Sequence, residues 1–136
     1  MSLEIAIVDD DKIIIFLHKI MMEKSGLSSN PLCYLSARDL LNELKTISNN
    51  KQKYLIFLDI NMPEMNGWEF LDAVSTAAFA NQVYVVIVTS SIDSADREMA
   101  MKYKCVIDYY EKPIDTSSCN RIKYIPDIAP FFQSLN

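Results

Sequence analysis

The chain has 136 residues, of which 50% are hydrophobic and 23% are charged, and its formal net charge is −5. This length and composition predict a single globular domain over residues 1–136 and exclude a disordered or collagen-like chain. The acidic balance, with no basic run that interleaves aromatic residues, argues against nucleic acid as a direct partner.

The apolar stretches are too short for a membrane span. The longest are Ile13–Leu17 and Val83–Val88, whereas a span needs roughly 20 residues. The chain enters a strand-like segment at once, without the pattern of a signal peptide. We therefore expect a cytoplasmic protein with no membrane partner. Its three cysteines form no Cys-x-x-Cys pair, and we expect them to be reduced.

The first part of the chain predicts two strands, each followed by a helix. Glu4–Val8 is an apolar-rich run that ends in three aspartates, and Asp11–Lys24 carries apolar residues at helical spacing until Gly26. On this first helix the apolar positions are Ile13, Leu17, Ile20 and Met21. Pro31–Leu35 is predicted as the second strand, and Ser36 as the N-cap of the second helix.

Three more strands follow. Tyr54–Leu58 is apolar without alternation, Val83–Val88 is rich in β-branched residues, and Cys105–Tyr109 is the fifth strand. Between the third and fourth strands, Trp68–Phe79 has a helical pattern. Its inward positions are predicted to be Phe70, Leu71, Val74 and Ala78. A fourth helix is predicted near 93–102.

The alternation of strands and helices predicts an α/β fold, in which right-handed crossovers give a parallel sheet covered on both faces. Polar residues fall at the C-terminal ends of four of these strands. They are Asp9, Asp10, Asp59, Thr89 and Lys112. Because ligands bind at that edge of open α/β sheets, we expect these side chains to form one cluster.

A cluster of carboxylates is costly unless a cation joins it, because like charges oppose full ionisation. Mg²⁺ prefers oxygen ligands and usually takes one or two carboxylates with phosphate oxygens. We therefore predict an Mg²⁺ site in which Asp10 and Asp59 supply the carboxylates. The backbone carbonyl of Asn61 adds an oxygen, and Asp9 acts through bound water.

The same cluster fits phosphoryl transfer, which needs an in-line nucleophile and positive charge on the phosphoryl oxygens. Asp59 provides a nucleophilic carboxylate. Lys112 neutralises phosphoryl charge together with the metal, and Thr89 donates a hydroxyl hydrogen bond to one oxygen. The predicted product is an aspartyl phosphate.

Four segments resemble the receiver domains of bacterial response regulators. They are IVDDD at 7–11, FLDINMPEMNGWEF at 57–70, VTSS at 88–91 and YYEKP at 109–113. The resemblance, which runs from Glu4 to about Asp115, implies a flavodoxin-like, doubly wound domain of two-component signalling. Such a domain has five parallel strands in the order 2-1-3-4-5, flanked by about five helices.

The resemblance also implies roles for single residues, beyond the metal ligands named above. Asp59 is the phosphorylated residue, Lys112 binds the phosphate, and Pro113 follows a cis peptide bond. Thr89 and Tyr109 are similar to the family's switch pair, in which the hydroxyl moves toward the phosphoryl group and the aromatic ring turns inward.

The implied phosphate donor is a phosphohistidine on a sensor histidine kinase or a histidine phosphotransfer protein. About 20 residues follow Asp115, too few for an output domain. We therefore expect a stand-alone signalling receiver that acts on an unknown downstream protein. It is not an enzyme beyond catalysing its own phosphoryl transfer and dephosphorylation.

Three other functions are weighed against this one. A phosphatase or mutase that forms aspartyl phosphate needs a second Asp two positions after the nucleophile, where this chain has Asn61. A nucleotide or flavin binder needs a glycine-rich loop, and the chain has only Gly26 and Gly67. The third is a phosphorylation-independent, receiver-like interaction module, and the complete set of site residues argues against it.

Two features of the first helix allow a structural interpretation. The single histidine, His18, is interpreted as structural, because a lone helical histidine is usually exposed or hydrogen-bonded internally. The apolar run Ile13–Leu17 extends all round the helix. It forms either a wide core contact or a hydrophobic docking surface for a partner's helix.

Pro126 and Pro130 fall inside the segment where receivers usually have one continuous last helix. A proline in a helix interior removes a hydrogen bond and clashes with the preceding turn. We therefore predict a helix over Ser117–Tyr124, ended by Pro126, and a second helical turn from about Asp127. The residues that this turn is expected to carry onto the core are Phe131, Phe132 and Leu135. A broken helix alters the common receiver dimer surface, so we expect a monomer.

Overall fold

The computed structural model describes residues 2–47, 51–90 and 93–132. The strands are β1 (Ser2–Val8), β2 (Leu32–Tyr34), β3 (Gln52–Leu58), β4 (Val83–Thr89) and β5 (Val106–Glu111). The α-helices are α1 (Lys12–Ser25), α2 (Ala37–Leu44), α3 (Gly67–Ser75), α4 (Ser94–Met101) and α5 (Thr116–Ile122). The five strands form one parallel sheet in the order β2-β1-β3-β4-β5, which confirms the predicted flavodoxin-like fold.

Alternate residues of the central strands enter two hydrophobic cores, one on each face of the sheet. On the first face, Val8, Leu58 and Ile87 pack with α2 and α3. On the second face, Ile7 and Phe57 pack with α1 and α5. The central strands are therefore covered on both sides, and this explains why their sequences are apolar without alternation.

The pairing of β4 with β5 contains one irregularity. Val85 lies opposite Val106, but Val86 lies opposite Asp108, so Ile107 is an extra residue in β5. Beyond this bulge Tyr109 lies opposite Ile87 and is buried in the first core, to which α2, α3 and α4 contribute.

Side chains placed before the helices accept the first backbone N–H groups. Asp11 accepts from Ile13 N at 2.9 Å, which starts α1 directly after the acidic turn. At the other end, Gly26 stops α1 with φ at 76°, a left-handed conformation that favours glycine. Before α3, Asn66 and Glu69 form a capping box. These caps determine where each loop leaves the sheet edge.

The prediction for the third helix was wrong at its C-terminal end. α3 ends at Ser75 rather than at Phe79. The chain then turns, so that Phe79 is buried and Ala78, which was expected inside, is exposed. Burying a phenylalanine removes far more apolar area from water than burying an alanine, and the turn therefore prevails over the helical pattern.

The buried face of α1 includes two polar residues. The buried residues are Ile15, His18, Met22 and Ser25. Within the apolar run at 13–17, which extends all round the helix, Ile13 is 70% exposed and Phe16 is 62% exposed. Two polar residues lie on the buried face because each has an internal partner. The Ser25 hydroxyl donates to the Met22 carbonyl, and His18 accepts a backbone hydrogen bond.

The predicted break in the C-terminal helix is confirmed. α5 ends at Ile122, and the bonds from Tyr124 N to Arg121 O and from Ile125 N to Ile122 O tighten the chain beyond it. Pro126 has no N–H group and cannot donate to the Ile122 carbonyl, so the α-helix does not continue.

After the break, a short 3₁₀ turn spans Ala129–Phe131. Ile128, which was not predicted, is fully buried in the core beside α1 and α5. Phe132 packs at the edge of that core, whereas Leu135 lies outside the described residues. No helix within residues 2–47, 51–90 and 93–132 is long and apolar enough to cross a membrane.

Candidate functional site

The sheet brings the predicted site residues to one edge. Asp9 follows β1 and its N–H donates to the Tyr34 carbonyl at 3.1 Å, while Asp59 follows β3 and donates to the Val8 carbonyl at 3.1 Å. Thr89 is the last residue of β4. These bonds extend the sheet by one residue, so the functional side chains lie on rigid backbone at its C-terminal edge.

Lys112 joins two of the carboxylates. Its Nζ lies 2.9 Å from Asp9 Oδ2 and 3.3 Å from Asp59 Oδ2. Its backbone N–H donates to the Thr89 carbonyl at 2.8 Å, which fixes the end of β5 to the end of β4. Asp9 and Asp59 are only 2% and 4% exposed, so the ion pairs lie in a poorly solvated environment.

Three carboxylates form a compact acidic group. One oxygen each of Asp9, Asp10 and Asp59 lies within 4.8 Å of the other two. Asp10 is exposed and opens this group to solvent, while the other two are buried. Hard oxygen donors at this spacing, with excess negative charge, fit an Mg²⁺ ion with water in its remaining positions. The donor set therefore agrees with the predicted metal.

Burial and charge shift the titration of the central pair. Burial raises the pKa of Asp59, and the negative charge of Asp9 raises it further, while Lys112 opposes both effects. Burial lowers the pKa of Lys112, but its hydrogen bonds and attraction to the two aspartates prevail, so that its pKa is raised overall. Lys112 is therefore the cation that opposes the rise in the pKa of Asp59.

The loop after β3 is packed against the backbone of Asp59. Gly67 N donates to the Ile60 carbonyl at 2.8 Å. A Cβ atom on Gly67 would lie 2.8 Å from Ile60 Cα and 2.9 Å from the Asp59 carbonyl oxygen, closer than real contacts allow. The sequence indicated Gly67 only as a turn residue. The structure shows that its missing side chain lets the loop close behind Asp59.

Within the same loop, the N–H of Asn61 donates to Asp59 Oδ1 at 3.3 Å. The backbone of Asn61 therefore lies beside the acidic group. The role of the Asn61 carbonyl as a metal ligand stays a prediction. The Lys112–Pro113 peptide bond is cis.

Tyr109 is 3% exposed and lies in the first core, on the side of α4. Its hydroxyl is buried and has no hydrogen-bond partner among the described residues. Such a hydroxyl costs about 1–3 kcal/mol of stability. Thr89 is also buried, at 2% exposed. Tyr109 therefore has its ring inward at an energetic cost, and its function as a switch stays a prediction.

His18, interpreted from the sequence as structural, is hydrogen-bonded internally. The ring is 1% exposed, and its Nε2 accepts a hydrogen bond from Ile114 N at 3.2 Å. Burial, and then the charge of Lys112, lower the pKa of His18 to about 4. The available signal was its spacing from Ile15 and Met22, which places all three on one face of α1.

Comparison with known proteins agrees with this geometry. The family model described as response regulator receiver domain matches residues 5–121. Among curated proteins, none matches the chain at a significant level. A solved two-component response regulator from Cytophaga hutchinsonii is 26% identical with a TM-score of 0.80, over 89% of this chain and 93% of that chain.

Two further solved structures have the same fold. A two-component response regulator from Legionella pneumophila is 26% identical with a TM-score of 0.71, over 91% of this chain and 97% of that chain. A response regulator receiver protein from Dyadobacter fermentans is 23% identical with a TM-score of 0.79, over 98% of this chain and 100% of that chain. Because the Dyadobacter protein is only 23% identical, its similarity concerns the fold alone.

Proposed function

Because this chain belongs to the response regulator receiver domain family, we propose that Asp59 accepts a phosphoryl group in a two-component or phosphorelay pathway. The donor is a phosphohistidine of a sensor histidine kinase or a histidine phosphotransfer protein in the cytoplasm. The observation that carries this proposal is the position of Lys112, whose Nζ reaches both Asp9 and the buried Asp59 at the ligand-binding edge of the sheet.

The transfer breaks one bond and forms another. A carboxylate oxygen of Asp59 attacks the phosphorus as the P–N bond of the phosphohistidine breaks. The bonding electron pair goes to the imidazole nitrogen, which takes up a proton from solvent. Lys112 stabilises charge on the phosphoryl oxygens, and the Thr89 hydroxyl donates a hydrogen bond to one of them. No acid or base residue besides these is required.

The acidic group would hold Mg²⁺ through Asp10 and Asp59, with Asp9 acting through water and the Asn61 carbonyl as a further ligand. When bound, the ion supplies positive charge that offsets the carboxylates and the phosphoryl oxygens. The exposure of Asp10 supports this assignment, because a metal that exchanges with solvent and meets an incoming phosphoryl group needs an open side.

The response to phosphorylation is a shift between two states of Thr89 and Tyr109. The buried hydroxyl of Tyr109, which has no hydrogen-bond partner within residues 2–47, 51–90 and 93–132, supports this proposal, since a second arrangement would remove the cost of leaving it unpaired. Residues 1–136 act as one receiver unit, and the break after α5 supports a monomer because it alters the surface that α5 would offer to a second copy.

Intact mass measurement after incubation with phosphoramidate and Mg²⁺ tests the function. The wild type is expected to gain one phosphoryl group, and Asp59→Asn is expected to gain none. Asp127→Asn, which changes an exposed aspartate far along the chain from the site, serves as the matched control and should label like the wild type. A folded wild type without any mass gain would instead favour the phosphorylation-independent interaction module.

A further inference from the structure

The segment that carries Lys112 is attached to the rest of the protein on both sides. Before it, Lys112 N donates to the Thr89 carbonyl at 2.8 Å. After it, Ile114 N donates to His18 Nε2 at 3.2 Å. Pro113, between them, has no N–H group to donate. The Lys112 side chain therefore leaves the backbone between one anchor on β4 and one on α1.

The anchor on α1 is a side chain, and the N–H group that it binds has no access to water. Ile114 is 2% exposed and His18 is 1% exposed. A buried backbone N–H without an acceptor is unfavourable, so the loop would move to find another partner if the histidine were lost. Such a movement would start two residues from Lys112.

We propose that His18 is a positioning residue of the phosphoacceptor site: by accepting the Ile114 N–H, it holds the loop from which Lys112 reaches Asp59. This inference rests on the proposed function. It goes beyond it by assigning a role to a buried side chain on α1 that does not touch the reacting carboxylate.

The chemistry of the ring agrees with this role. To accept at Nε2, the imidazole must be neutral with its proton on Nδ1. Burial and the nearby Lys112 lower the pKa of His18 to about 4, so the acceptor is present at neutral pH. A leucine would fill similar space without an acceptor, whereas a glutamine would keep an oxygen near the position of Nε2.

The test compares labelling rates with phosphoramidate and Mg²⁺ by intact mass, at a temperature where thermal unfolding shows every variant folded. His18→Leu is expected to slow labelling roughly fivefold, as the loss of one hydrogen bond implies, and His18→Gln to restore most of the rate. Met22→Leu, on the same buried face of α1, is the packing control and should label like the wild type. If His18→Leu does not fold, His18→Phe takes its place.

A double-mutant cycle separates positioning from general packing. If His18 acts through Lys112, His18→Leu should have little further effect in a Lys112→Ala background. Equal slowing in both backgrounds, equal slowing by Met22→Leu, or an unchanged rate in His18→Leu would each overturn the inference while leaving the proposed function intact. A folded wild type that gains no phosphate would overturn both.

Discussion

Lys112 Nζ lies 2.9 Å from Asp9 Oδ2, closer than to the proposed phosphoacceptor, Asp59, at 3.3 Å. The lysine is therefore shared by two buried carboxylates that would otherwise repel one another. A phosphoryl group on Asp59 would add negative charge on one side of this arrangement, so the preference of the lysine for Asp9 is a property of the resting site.

Replacing Lys112 by Met should destabilise the protein by about 3 kcal/mol at pH 7, because it leaves two buried carboxylates without their cation. The pKa of Asp59 is already raised by burial and Asp9, and the loss of Lys112 raises it further. Because the pKa of Asp59 is higher in the folded protein than in the unfolded chain, its protonation favours folding at low pH, and this stabilisation is lost as the pH rises. The variant should therefore recover stability in acid. Urea unfolding from pH 4 to 8 measures the free energy of unfolding of Lys112→Met, with Lys102→Met at an exposed position as the control. Equal stability of Lys112→Met and wild type at pH 7 would contradict the prediction.

Replacing Asp10 by Asn should raise the Mg²⁺ concentration needed for half-maximal labelling by at least about tenfold, because it removes a carboxylate from the open side of the acidic group. Excess chelator should abolish labelling of the wild type. The exposed side chain contributes little packing, so the unfolding free energy without metal should change by less than about 0.5 kcal/mol. An unaltered Mg²⁺ titration would remove Asp10 from the metal site.

Replacing Gly67 by Ala should cost about 1–3 kcal/mol of stability and slow labelling of Asp59, since the new Cβ would meet Ile60 Cα and the Asp59 carbonyl at under 3 Å. Gly26→Ala is the matched control. It meets only Lys123 Nζ at 3.7 Å but strains a φ of 76°, so it should lower stability by about 1–2 kcal/mol with labelling unchanged. Equal labelling by both variants would show that Gly67 has no special relation to the site.

Replacing Tyr109 by Phe should stabilise the unphosphorylated protein by about 1 kcal/mol, because it removes a buried hydroxyl that has no partner among the described residues. Urea unfolding of the two proteins gives the difference directly. Thr89→Ala, by contrast, should leave phosphorylation measurable while weakening phosphate-dependent partner binding. A loss of stability in Tyr109→Phe would mean that the hydroxyl is satisfied in solution.

The titration of His18 should make the protein less stable in mild acid. The pKa of this group is about 4 in the folded protein and 6.5 for an ordinary histidine, so the unfolded chain binds the proton more tightly. The contribution of neutral His18 to the free energy of unfolding is complete above pH 6.5 and is lost as the pH falls toward 4. At about 1.4 kcal/mol per unit of pKa difference, the loss reaches about 3 kcal/mol. Urea unfolding of wild type and His18→Gln across this range isolates the effect, and parallel curves would refute it.

Much of the fold followed from local patterns. The unbroken apolar runs identified β3 and β4, and the residues after each strand end, such as Asp59 and Lys112, were expected together before any contact was known. The family resemblance supplied the strand order. The roles of these residues in phosphoryl transfer and of Tyr109 in switching stay predictions.

Other features could not be read from local patterns because they depend on tertiary contacts. The burial of His18 on α1 is acceptable because its Nε2 accepts from the Ile114 N–H, which lies in a distant part of the chain. The close approach of Gly67 to Ile60 is a distance between two parts of a loop. The turn after Ser75 brings Phe79, which lies beyond the helix, into the core that α2 and α3 share.

The bulge at Ile107 determines to which face of the sheet each of the adjacent residues Tyr109 and Tyr110 points. Neighbouring residues in a strand point to opposite faces, so one inserted residue inverts everything after it. With the insertion, Tyr109 faces the α2 and α3 side with Ile87, and Tyr110 faces α5, where Arg121 lies 5.5 Å from its ring centre. Without it the two rings would exchange sides. The bulge at Ile107, one residue after the start of β5, thus determines which of the two tyrosine rings is buried in the first core.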